Sequence, residues 1–168
     1  MGSGTASTCR QSAGSSHTCL GGLEVYTIRN RVRILKPADK VFHSLATAEG
    51  LKCWFVSSAL LEEFPGGQVR LEWVNFGENG ATVRDSGTIL EYRRAELFSF
   101  SWEPGPAPTI VTMTFSSQGG ETVVDLTDGP FPDTTDGIEA FGSTAVGWGE
   151  ALLALKIYLE HDIAILKT

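Results

Sequence analysis

Three histidines, three cysteines and scattered carboxylates are the residues of this chain whose types permit covalent or acid–base chemistry. Nucleophilic catalysis needs a nucleophile, a base and an orienting group within hydrogen-bond reach. The histidines offer no such arrangement: His17 falls in a Gly/Ser/Thr-rich stretch, His43 follows Phe42 on a short helix, and His161 ends a long one, where a cation suits the helix dipole. Cys53 stands between Lys52 and Trp54 near a helix end, and a neighbouring ammonium lowers a thiol pKa; with no histidine beside it, the residue reads as a small apolar filler. Cys9, His17 and Cys19 lack the second close pair that a zinc site requires. Asp125, Asp128, Asp133 and Asp136 miss the alternate-position spacing and glycine of a calcium loop, and Pro130 and Pro132 stiffen the segment, so a solvated acidic loop is expected. Gly66-Gly67 falls between strands rather than before a helix, which makes it a hairpin turn and not a phosphate cradle. No metal and no cofactor is therefore expected. Proton transfer remains open, because a carboxylate held in an apolar cavity has a raised pKa; Glu91, Tyr92 and Glu103 are the candidates.

The elements that would position such groups are legible from hydrophobic period. A chain of 168 residues fits a single domain able to bury roughly 70% of its unfolded surface. Residues 1–22 are dominated by Gly, Ser and Thr without a hydrophobic period and are expected to form a disordered tail, leaving residues 23–168 as the domain. A β-branched run over residues 24–35 reads as the first strand; Pro37 ends it and opens a short helix carrying Val41, Phe42 and Leu45, followed by a second short helix over residues 48–54. From residue 55 to residue 127, alternating runs are separated by turn signals, which favours consecutive antiparallel hairpins. Val69, Leu71 and Trp73 share one side, as do Phe98, Phe100 and Trp102, and Val111, Met113 and Phe115, while their alternates are mostly polar.

The last helix, over residues 141–159, puts Phe141, Ala145, Trp148, Leu152, Leu155 and Leu159 on one apolar seam, with a second seam at Val146, Leu153 and Ile157. Gly142, Gly147 and Gly149 lie in its first half, each costing ~1 kcal/mol relative to Ala, and such thinning beside an indole predicts room between helix and sheet. The expected fold is α+β: a curved antiparallel sheet of about six or seven strands around a long C-terminal helix. An internal apolar cavity between them would be lined by Trp54, Leu71, Trp73, Phe98, Phe100, Trp102, Met113, Phe115, Phe141, Trp148 and Leu152. Lys156 either snorkels outward or offers a cation to a ligand's acidic group.

Charge narrows the partners. A net charge of -7 argues against nucleic acid and anionic membrane surfaces, and Arg29, Arg31 and Arg33 alternate with apolar residues as the wet face of a strand. Nothing approaches the ~20 apolar residues of a membrane span, and the first twenty positions lack the apolar stretch of a secretory signal, so a cytoplasmic protein with reduced thiols is expected. An exposed edge strand would allow two copies to pair as a homodimer.

The order of landmarks carries a resemblance: Pro37 with Val41-Phe42, Leu51 and Trp54-Phe55, Phe64 with Gly66-Gly67, Gly87-Thr88-Ile89-Leu90, residues 98–102, and Gly147-Trp148 leading to Leu155-Lys156. Over residues 24–160 the chain resembles the START-like, or SRPBCC, superfamily, in its branch homologous to the activator of the heat-shock chaperone ATPase. The resemblance implies a helix-grip fold with an apolar cavity. The superfamily includes lipid carriers, hormone binders and polyketide cyclases, so fold alone does not fix function. Binding of a small apolar or aromatic molecule is the expected function. The alternatives are a cyclase- or aromatase-like enzyme using a cavity acid or base, and a module stimulating a chaperone ATPase in the stress response.

Overall fold

Side chains that alternate between apolar and polar along successive runs force those runs into a sheet with one dry face, and short turns pair each run with the next. The computed structural model describes residues 18–20, 23–76 and 79–166. In chain order the elements are β1 (Thr18–Leu20), β2 (Leu23–Ile34), α1 (Ala38–Ala46), α2 (Ala48–Trp54), β3 (Ser58–Leu61), β4 (Gln68–Phe76), β5 (Ala81–Arg93), β6 (Leu97–Trp102), β7 (Thr109–Gln118), β8 (Glu121–Pro132) and α3 (Thr135–His161). All pairings are antiparallel, in the order β1-β2-β8-β7-β6-β5-β4-β3. Seven strands form the curved sheet expected of a helix-grip fold; the three-residue β1, in the stretch expected to be a tail, pairs along the edge of β2. Cys9 and His17 lie outside the described residues.

Register places one row of the dry face across the sheet: Ile89 opposite Phe100, Phe100 opposite Val111, Val111 opposite Asp128, and Asp128 opposite Ile28. Every member of this row is buried, including the carboxylate. Gly87 is required beside it, since a Cβ there would collide with the Ser101 carbonyl of β6. The arginines of β2 lie on the other face, exposed, with Arg31 paired to Asp125 at 2.6 Å and Arg33 to Glu121 at 3.5 Å.

α3 begins at Thr135 rather than at Phe141, because Thr134 caps it by accepting a hydrogen bond from Gly137 N at 3.1 Å. Its dry side runs through Ala140, Ala151, Leu152, Ala154 and Leu155, while Val146 and Leu153 of the second seam are exposed. The helix packs chiefly on β2 and β8. Lys156 fixes its far end to the sheet edge: Nζ donates to the Arg33 carbonyl at 2.6 Å and to Glu160 at 2.7 Å, and Glu160 accepts from Leu35 N at 2.8 Å. Of its two expected roles, Lys156 takes neither; it is an anchor. Asp162 ends the helix in the left-handed region (φ 59) and turns the chain back, so that Ala164 and Leu166 pack against the core. Among the described residues no helix is long and apolar enough to cross a membrane.

Because Leu155 is wholly buried between helix and sheet, Leu155→Ala is expected to cost about 2–5 kcal/mol of unfolding free energy. Urea denaturation at unchanged m-value measures it, and a loss under about 1 kcal/mol would contradict this packing.

Candidate ligand-binding cleft

The space under α3 is mostly filled. Trp54, at the end of α2, is buried with its indole N–H donating to the Ser44 carbonyl at 3.0 Å, and it stacks on Phe55 with ring centroids 4.9 Å apart. Trp54, Phe98, Met113 and Leu152 surround an enclosed void of about 30 Å³, room for one or two waters. Open volume lies beside it. Since α3 leans toward β2 and β8, the dry faces of β4, β5 and β6 are left uncovered along its first half, and a cleft of about 260 Å³ opens there. Phe55, Leu71, Phe100, Trp148 and Ala151 border both spaces and form the cleft's floor. Trp73, Val83, Asp85 and Trp102 rise on the sheet side, Thr144, Gly147 and Glu150 on the helix side, and Leu166 closes one end.

A buried carboxylate sets the position of two of these walls. Asp128 on β8 accepts from Thr109 Oγ1 at 2.6 Å, from Trp148 Nε1 at 2.9 Å and from Trp102 Nε1 at 3.3 Å. Burial pushes its pKa up, and the hydrogen bonds from Thr109, Trp148, Trp102 and the Gly129 backbone pull it back down. The result ties α3, β6 and β7 to one point and holds the two indoles tilted against each other, centroids 5.7 Å apart. The acidic residues near α3 form the expected solvated group only in part: Asp133 and Asp136 are exposed, whereas Asp125 and Asp128 belong to β8. Asp128 is core, Asp125 is paired with Arg31, and Asp133 accepts from the Tyr26 hydroxyl at 3.0 Å.

Asp85 is the carboxylate inside the cleft. Its inward neighbours along β5 are Val83 and Gly87, it stands opposite Leu71 in register, and burial pushes its pKa up. None of the three candidate acids and bases lines this space. Glu91 is exposed beside Arg93, their charges 3.8 Å apart. Glu103 is exposed on a polar groove of about 530 Å³ bordered by Arg70, Arg84, Ser86 and Thr88. Tyr92 donates to Glu63 at 2.9 Å and lies 3.1 Å from the Ala46 carbonyl at the end of α1; burial first, then Glu63, raise its pKa.

Of the eleven predicted lining residues, the structure brings Leu71, Trp73, Phe100, Trp102 and Trp148 to the cleft. Trp54, Phe98, Met113 and Leu152 line only the small void. Phe115 packs against Phe42 at 5.1 Å, and Phe141 joins a separate cluster with Tyr26 and Phe131. The helix glycines do not hold open an enclosed chamber: Gly142, Gly147 and Gly149 are all exposed, and a Cβ on any of them would meet nothing within 4 Å. Gly147 alone of the three borders the cleft, at its mouth. Cys53 is exposed on α2 rather than filling the core, its thiol donating to the Glu49 carbonyl at 3.3 Å. His43 and His161 are exposed. Among the described residues no cluster of His, Cys, Asp and Glu is arranged to hold a metal.

The family of Activator of Hsp90 ATPase homolog 1-like protein matches residues 36–160. The chain belongs to that family. No curated protein matches the chain. Among solved structures of similar fold is the Staphylococcus saprophyticus protein SSP2350, 26% identical, covering 84% of this chain and 97% of that one with a TM-score of 0.65. The Aha1 dimer from Colwellia psychrerythraea is 21% identical over 84% of this chain and 98% of its own, with a TM-score of 0.64. CalU16 from Micromonospora echinospora is also 21% identical, over 90% and 85%, with a TM-score of 0.67. For this member of the Hsp90-activator-like family, the matched segment holds α1, α2, β3 to β8 and nearly all of α3, but ends before Leu166.

Removing the acceptor at Asp128 strands two indole N–H groups and a hydroxyl, each costing about 1–3 kcal/mol when buried and unpaired. Asp128→Ala is accordingly expected to destabilise by about 3 kcal/mol or more, read by urea denaturation. Asp85 behaves oppositely. A carboxyl whose folded pKa is raised gives stability that is present below its unfolded pKa and lost as pH rises through the folded value. Asp85→Asn should therefore raise the melting temperature at pH 7, and the gain should vanish below the ordinary value of 3.8. A gain that persists in acid would show that charge is not its cause.

Proposed function

We propose that this protein binds a small apolar or aromatic molecule, shielding it from water without covalent chemistry, in the cleft between the first half of α3 and strands β4 to β6. The supporting observation is the cleft itself: about 260 Å³ lined mainly by aromatic and aliphatic side chains, open on one side, over a floor of Phe55, Leu71, Phe100, Trp148 and Ala151. Concave, mostly apolar spaces with few polar groups are the usual form of a small-molecule site, and this one suits a ligand of about two or three rings. The space beneath, only about 30 Å³, favours the cleft over an internal chamber. The family description supports a second reading, action on a chaperone ATPase, which concerns an outer surface and is independent of the cleft's lining.

Gly147 gives a direct test, because a side chain there meets open space yet stands at the mouth. Gly147→Leu is expected to leave the fold intact, to gain about 0.5–1 kcal/mol from helix propensity, and to weaken a cleft ligand by about tenfold or more. Native mass spectrometry for copurified molecules, followed by titration of a panel of bicyclic aromatics against tryptophan fluorescence, reads both proteins. Affinities equal in the two, or no saturable binder, would remove the cleft as the site.

A further inference from the structure

Among the described residues, the charged groups in the cleft have one sign. Asp85 and Glu150 line it, and no lysine, arginine or histidine does so among the described residues. Arg84, next to Asp85 in sequence, points the other way and pairs with Glu72 at 2.6 Å. The Asp85 carboxylate itself has no hydrogen-bond or ion-pair partner among the described side chains. Aromatic rings share the cleft with it: Trp73, which meets Phe55 edge-on at 5.2 Å, and Trp102, which meets Trp148 at 5.7 Å. Both of the latter indoles donate their N–H to the Asp128 carboxyl, so their polar atoms are already engaged and what they offer a ligand is aromatic carbon.

Ligand charge follows from what each type would meet. An anion meets two carboxylates and no counter-ion. A neutral apolar body strips water from Asp85 and returns no hydrogen bond, which is costly. A cation turns the same loss of water into an ion pair and also gains the attraction of the ring faces. We infer that the cleft selects a cationic ligand: an ammonium or similar positively charged nitrogen on an aromatic or apolar body, with the charge against Asp85 and the body among Trp73, Phe100, Trp102 and Trp148. This inference rests on the cleft being a ligand site.

Three naphthalenes that differ in charge test it by calorimetry at pH 7: 1-naphthylmethylamine, 1-naphthalenemethanol and 1-naphthoate. The amine is expected to bind about tenfold tighter than the alcohol, and the naphthoate more weakly than either. Asp85→Asn should bring the amine down to the alcohol's affinity, and Trp73→Leu should weaken the amine more than the alcohol. An amine that binds no better than the alcohol, or a preference that survives Asp85→Asn, overturns the cation inference while the cleft remains a site for apolar molecules. Failure of all three to bind overturns both.

Discussion

A carboxylate buried without compensation costs several kcal/mol, and Asp128 avoids that cost only while three side-chain donors from three other elements converge on it. The constraint is strict because the donors are not local to one another. Trp148 comes from the middle of α3, Trp102 from the end of β6 and Thr109 from the start of β7, so helix and sheet must hold one relative position for all to reach. Apolar packing alone tolerates sliding of a helix over a sheet; a hydrogen-bonded charge does not. Asp128 therefore acts as the pin of the fold, and the orientation of both indoles follows from it.

With α3 pinned at Trp148 and anchored by Lys156 and Glu160 at its far end, the helix has little freedom to cover the whole sheet. The loop before β7 reinforces the lean. Gly105 approaches α3 so closely that a Cβ there would strike Ala140. The consequence is an asymmetric grip: dry contact over β2 and β8, aromatic filling by Trp54 and Phe55 in the centre, and an open side over β4 to β6. The cleft is thus what remains when the helix is fixed to one half of a curved sheet.

Much of this was legible in the residues. Alternation located the inward faces of β4, β6 and β7, Pro37 and the apolar positions after it located α1, and landmark order indicated the family. Two carboxylates were missed for one reason. Extending the alternation of Val124 and Leu126 by two residues places Asp128 inward, and doing the same from Ile89 and Gly87 places Asp85 inward, yet an aspartate in a strand is ordinarily read as solvent-facing. The start of α3 was hidden because Ile138, in its first turn, is exposed and lies off the seam. Volume was not legible at all. Periodicity states which side chains point inward but not how far Trp54 reaches, and that reach is what fills the expected chamber.

The reversal at Asp162 gives the last few described residues a share in the cleft that their position outside every helix and strand does not suggest. Leu166 lies beyond the segment that defines the family, and unlike the floor residues it carries no strand register or helix seam. Shape at that end of the cleft therefore depends on a side chain outside the matched segment, one that also packs against the core.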